Sequence, residues 1–291
     1  PLFIIGAYYG NATIFHLTQL EALINFPLFL IVWLLDRAYK TESGLFVTYL
    51  VIGVLIGIVL LSKLVFSPII FFFLLIHFIF TLKSKDIKYI FVKQIIPLCI
   101  GFVIPLSVFL SYIFIHQIEN LIVDIYFKIP TSVIALEDQV DPDRLLSSLK
   151  WFIKKMLVLL LLAVLGVFLM TKKESHFFSL IIAWGVIGFL VILMQKTSWW
   201  SYHFQLLYVP IGVFAAIGLD FVLYHFLQKV KPSTPLIKGF LIVTIVSLVF
   251  FNQMNTLWKG AASQNNTRLY SFDYARDDAA KIVQVIKKED S

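Results

Sequence analysis

Charge is what this chain has least of. Asp, Glu, Lys and Arg make up 14% of its 291 residues, against about a quarter in an ordinary soluble domain, so a large aqueous globule is excluded. Cysteine occurs once, as Cys99 inside an apolar run. One thiol makes no internal disulfide and no thiolate metal cluster, and it is read as a packing residue. The sequence also has no Walker loop, no GxGxxG after a strand, no HExxH and no CxxC, so nucleotide and zinc-hydrolase chemistry have no motif to stand on. Matching halves of the kind found in inverted-repeat transporters are missing too.

What fills the space is apolar. Hydrophobic residues reach 60% and the mean hydropathy is +0.91, the signature of a chain made mostly of spans of about 20 residues. Eight such segments lie near 19–35, 45–62, 65–82, 94–115, 152–170, 176–194, 203–227 and 236–254. The expected fold is all-α, a polytopic membrane bundle of about eight transmembrane helices. Pro97, Pro105 and Pro210 fall in or beside spans and predict kinks, because neighbouring helices can satisfy the freed carbonyls. Gly53 and Gly57 in "GVLIGIV" have the spacing that lets two helices pack closely.

The net charge of +7 would hint at nucleic acid in a soluble protein, but in a membrane protein it reports where the loops lie; no nucleic-acid partner is expected. The connectors "DRAYKTESG", "KSKDIKYIFVK", "TKKES" and "QKVKPSTP" hold ten Lys and Arg. The positive-inside rule places them in the cytoplasm. The turn at Ser62 and Lys63, the stretch 116–150, the loop 195–202 and the tail after Met254 then face outward. Within 116–150, Ile118, Leu121, Ile122 and Ile125 recur at helical spacing opposite Glu119, Asn120, Asp124 and Lys128, predicting an outer interfacial helix. "ALEDQVDPDR" gathers Glu137, Asp138, Asp141 and Asp143 before Arg144. It reads either as a solvated acidic loop or as a groove for a cation or acceptor, though its spacing fits no known metal loop. No metal and no cofactor is expected. Residues 1–254 form the membrane domain in this reading, and 255–291 begin a soluble outer domain, where "DYARDDAAKIVQVIKKED" patterns as an amphipathic helix. The N-x-T patterns at Asn11 and Asn265 carry little weight. Opening at Pro1 and stopping at "KKEDS", the sequence is read as a piece of a longer chain, expected to be inactive alone.

Four segments bring ionisable groups to the outer side. Glu21 stands 15 residues before Asp36, the expected inner boundary, or roughly 22 Å along a helix. Lys63 lies in an outer turn, and Lys196, Tyr202 and His203 precede the seventh span. Ionisable side chains at membrane depth are costly and so are functional candidates. Their plainer roles are also open: a neutralising pair for Glu21, snorkelling for Lys63, an aromatic belt for Trp199, Trp200 and Tyr202, a satisfied interfacial histidine for His203. His77, His176 and His225 are read as structural.

In that order, "GNATIFHLTQLEALINFPLFL", "GVLIGIVLLSKLVFSPIIFFFLL", "QKTSWWSYHFQLLYVPIGVFAAIGLD" and "DDAAKIVQVIKKED" resemble membrane glycosyltransferases of the GT-C superfamily. They are most similar to the family 39-like protein O-mannosyltransferase and lipid A aminoarabinose transferase type. The resemblance implies an enzyme that moves a sugar, with inversion, from a polyprenyl-phosphate donor to a lipid, protein or glycan acceptor. It places the transfer on the non-cytoplasmic face; the abundance of Phe, Ile and Lys suits an AT-rich bacterial genome, so the expected location is a bacterial cytoplasmic membrane with the site facing the periplasm or exterior. Lys63, Lys196, Tyr202 and His203 would bind the donor phosphate, and Glu21 would support them. The family's general base is an aspartate in an earlier loop, so the catalytic base is unassigned here. The rival readings are a permease or lipid flippase and a non-catalytic scaffold for envelope glycan assembly.

Overall fold

The computed structural model describes residues 20–41, 43–128, 131, 142–170, 175–195, 199, 201–230, 235–247 and 251. Among them every regular element is helical. The long helices are α1 (Leu20–Lys40), α2 (Leu45–Ser62), α3 (Leu64–Leu82), α4 (Ile87–His116), then, after a short helix α5 (Glu119–Val123, continuing as Asp124–Lys128), α6 (Pro142–Met170), α7 (His176–Met194) and α8 (Tyr202–Lys229). These seven long helices among the described residues are each long and apolar enough to cross a membrane. The protein is an integral membrane protein with an all-α bundle. A shorter apolar helix, α9, covers Pro235–Ser247; the rest of the eighth expected span, and the expected outer domain at 255–291, lie outside the described residues.

Local sequence explains the breaks. Pro27 has no N–H for the carbonyl of Leu23, and α1 turns at Ile24 between Leu20–Leu23 and Asn25–Lys40. Pro97 makes the same omission in α4, where the preceding turn, Phe91–Ile95, widens to a π-helix. The chain stays helical through Pro105 and Pro210, so these two interrupt no span. Gly44, at φ 68°, supplies the left-handed residue that starts α2, a conformation costly for any residue with a Cβ.

Helices α1, α3 and α7 pack together around Leu28, Ile31, Leu35, Phe73, Leu180 and Trp184, all fully buried. Two helix pairs flank them, α2 with α4 and α6 with α8. In both pairs the backbones touch. A Cβ on Gly53 would meet the Leu98 carbonyl and one on Gly101 the Leu50 carbonyl, while Gly57 faces the Pro105 ring. Gly166 lies on the Phe214 carbonyl and Gly218 on that of Leu162. Without a hydrophobic gradient between helix and lipid, such close approach is a main source of cohesion. The bundle's outer surface is apolar, with Phe71, Val108, Ile115, Leu161, Val164 and Phe168 exposed, as a lipid-facing surface requires.

Several sequence expectations change. Cys99 is exposed on α4; it faces outward instead of packing inside. Asp36 is not a loop boundary: α1 continues through it to Lys40, and the pair Lys40 Nζ to Asp36 Oδ2, 2.6 Å at i,i+4 spacing, supports the added turn. Helix α6 starts at Pro142, so Asp143 and Arg144 are helical, not part of a loop; Glu137, Asp138 and Asp141 lie outside the described residues. The helix at Glu119–Val123 is present, with Leu121 and Ile125 about half exposed, consistent with lying at an interface. Its Tyr126 hydroxyl donates to the Leu61 carbonyl at 2.5 Å, fastening it to the end of α2.

Candidate functional site

Because successive spans alternate in direction, the start of α1, the α2–α3 turn, the end of α7 and the start of α8 share one end of the bundle, opposite the lysine-rich connectors. There the chain builds a polar junction. After α2 ends, Lys63 takes an extended conformation at φ −163°, and a 3₁₀ turn, Leu64–Phe66, leads into Ser67–Leu82. Lys63 Nζ donates to Glu21 Oε1 at 2.6 Å and to Gln195 Oε1 at 3.2 Å. It lies 5.8 Å from the centre of the Phe66 ring, within cation–π range. Of the three N–H donors on an ammonium, two are taken. The third has no partner among the described residues.

Glu21 is only 2% exposed. A carboxylate so deeply buried needs its partner, and its place here is to neutralise and aim Lys63, not to meet an incoming hydroxyl. The next polar residue on α1, Asn25, closes the break made by Pro27. Its amide donates to the Glu21 carbonyl at 3.2 Å and to the Gln205 carbonyl at 2.8 Å. The second bond fixes the 3₁₀ turn Ser201–Leu207 against Leu20–Leu23, and the two segments pack together. That turn carries Tyr202 and His203, whose rings are 4.4 Å apart.

His203 is 2% exposed, and neither ring nitrogen has a hydrogen-bond partner among the described residues. Asn25 Oδ1 and Gln205 Oε1 are likewise buried and without a partner among the described residues. Each such group costs about 1–3 kcal/mol, so a cluster of them within one turn of the bundle end marks a place where a polar ligand or ordered water completes the bonding. The arrangement offers donors and acceptors under partial cover, with one ammonium held ready. It fits an anionic group beside hydroxyls.

Of the sequence candidates, the structure brings Glu21 and Lys63 into contact and puts Tyr202 and His203 on a turn packed against Glu21's helix. Lys196 lies outside the described residues, as does Trp200. Trp199 is no belt residue: it is 8% exposed, its indole N–H donates to the Leu193 carbonyl at 3.2 Å, and Ser148 on α6 donates to its carbonyl at 2.7 Å. Asn25, Gln195 and Gln205 were not among the candidates. Their signal in the sequence is polarity inside or beside an apolar span, weaker than that of an ionisable group.

The other end holds a second polar chain, which includes His77 and His176, two histidines that the sequence alone assigns to structural roles. Tyr49, His77, His176 and Asp36 follow one another at 2.7, 3.0 and 3.4 Å. No group of three or more His, Cys, Asp and Glu among the described residues is arranged to hold a metal ion. No family model, curated protein or solved structure matches this chain.

Proposed function

We propose that the protein is the membrane body of a glycosyltransferase that takes a sugar from a polyprenyl-phosphate donor and passes it, with inversion, to a lipid, protein or glycan acceptor. In this reading the site faces the non-cytoplasmic side of a bacterial membrane. The observation that carries it is the junction of Lys63 with Glu21 and Gln195, beside a turn on which buried His203 has both ring nitrogens unpartnered among the described residues. The leaving group of such a transfer is a phosphate, and pre-aimed donors in a site shielded from water stabilise its growing charge most. Lys63 supplies a remaining N–H, His203 a second donor, and Lys196 follows Gln195 in sequence. Apolar helix surfaces at the same end can take the prenyl chain. The residue that deprotonates the acceptor is not assigned.

The test is binding of a short-chain polyprenyl-phosphate sugar to the protein in detergent. Saturable binding is expected, weakened about tenfold or more by His203→Ala and by Lys196→Ala, the effect of losing one charge-assisted hydrogen bond. Binding that ignores both changes, or no binding by well-folded protein, sinks the assignment. One observation favours a permease or flippase instead, namely buried ionisable side chains on three spans at the opposite end, Asp36, His77 and His176. Ligand-dependent movement of a lipid or solute across sealed vesicles, with no transfer of sugar, would select that reading.

A further inference from the structure

Tyr49, His77, His176 and Asp36 come from α2, α3, α7 and α1, and none is more than 8% exposed. One end of their hydrogen-bonded chain is closed by fully buried Tyr49. The other reaches Lys40, whose side chain is 63% exposed, at the lysine-rich aqueous face. His176 sits in an aromatic sleeve: the Tyr39 ring stacks on it at 4.7 Å, and Phe80 and His77 meet it edge-on at 5.3 and 5.0 Å. Such rings leave the imidazole few partners outside the chain.

The chain also has a direction, which follows from its ends. Asp36, bonded to Lys40 at 2.6 Å, is a carboxylate and only accepts. His176 must therefore carry its proton on Nδ1, which leaves Nε2 as an acceptor. His77 then donates from Nδ1 to His176 Nε2 and accepts at Nε2, and the Tyr49 hydroxyl donates to it. Every hydrogen points towards Asp36, and both histidines hold the Nδ1–H form, the minority tautomer of free histidine.

We propose that this chain is a proton store with its outlet at the lysine-rich face, holding one proton between the two histidines. One proton taken up through the lysine-rich face, the end that reaches water, adds to His176 Nε2, and the hydrogen of His77 moves from Nδ1 to Nε2, beside the Tyr49 oxygen. Tyr49 keeps one hydrogen, His77 changes tautomer, and His176 becomes an imidazolium donating to Asp36 and to His77. A second proton is excluded, because two imidazolium nitrogens would then face each other at 3.0 Å. Among the described residues the titratable neighbours on the packed elements are few, and Tyr89 of α4 faces Tyr49. Helix α1 gives Asp36 and Lys40, while Arg37 lies over Trp33 instead. Helix α3 gives Lys83, 5.0 Å over the Phe80 ring, and before α4 Lys85 lies over the Tyr89 ring at 5.2 Å. On α2 and α7 the facing titratable groups are Tyr49 and His176 themselves. Among the described residues, Asp36 is thus the one carboxylate bonded to these histidines. The inference does not depend on what the opposite end binds.

Ring-nitrogen NMR of ¹⁵N-histidine-labelled protein in lipid nanodiscs tests it, with His77→Gln and His176→Gln assigning two of the six histidines. Neutral buffer should show both as Nδ1–H. On acidification His176 should become doubly protonated while His77 switches to Nε2–H, with one proton for the pair. Asp36→Asn removes the carboxylate that holds this charge, so at the same acid pH the doubly protonated signal should fall about tenfold or more. Nε2–H forms at neutral pH, two independent protonations, or spectra unchanged with pH each overturn the proposal and leave a static clamp between helices. The wild-type spectra decide this even where Asp36→Asn fails to fold.

Discussion

Lys63→Met should destabilise the bundle by about 3–5 kcal/mol, the cost of removing one partner from a buried ion pair. Glu21 is the reason. With its side chain 3% exposed and its Oε1 2.6 Å from the lysine, the carboxylate would be left charged, uncompensated and out of reach of water. The lysine itself is one-third exposed, so the reverse change, Glu21→Gln, should cost less. Combining the two removes both charges, and Glu21→Gln/Lys63→Met should recover most of the lost stability, since a buried pair replaced as a unit is often nearly neutral. Thermal unfolding in detergent of the four proteins gives the coupling energy directly. Additive losses would mean that the pair is not coupled as drawn. The double variant has a second use: a folded protein that no longer binds a polyprenyl-phosphate sugar separates the role of Lys63 in the ligand site from its role in the fold.

The second large effect is steric. Gly53 and Gly101 meet across α2 and α4, each with the other helix's carbonyl where a Cβ would stand. Gly101→Val or Gly53→Val must therefore separate two backbones, not merely crowd a side chain, and should cost at or above the upper end of the about 1–3 kcal/mol typical of overpacking. The readout is loss of the monodisperse peak in size exclusion after mild heating. Gly239→Val on α9 is the control, because among the described residues nothing lies within 4 Å of the added Cβ. If all three behaved alike, close approach of α2 and α4 would not be what holds them.

The spans were legible because apolar length is a property of contiguous sequence. So was the common face of Glu21 and Lys63, since loop charges give each helix a direction and a direction sets which ends share a face; their ion pair was not. The glycine spacing at Gly53 and Gly57 pointed rightly to a close contact, although their partners Gly101 and Pro105 could not be read from it. Asp36 misled, since "DRAYK" reads as a loop until the i,i+4 bond between Asp36 and Lys40 is known. Trp199 misled for another reason. Tryptophan at a span end is most often interfacial, and only the fold shows Ser148 and Leu193 closing around it. His77 and His176 are 99 positions apart, and no periodicity within one helix reveals that two helices will set them 3.0 Å from each other. The Tyr49 hydroxyl completes that chain from a third helix, so its meaning exists only in the assembled bundle.

Helix α7 begins at His176 and is followed directly by Gln195, about 28 Å away along its axis at 1.5 Å per residue. His176 is bonded to Asp36 on α1 at one extremity, and at the other Lys63 joins Gln195 to Glu21, also on α1. Helices with smooth apolar flanks can slide or roll past each other at little cost. These two behave instead like parallel beams pinned at both extremities, so a lengthwise shift of one against the other must strain both fastenings in the same stroke.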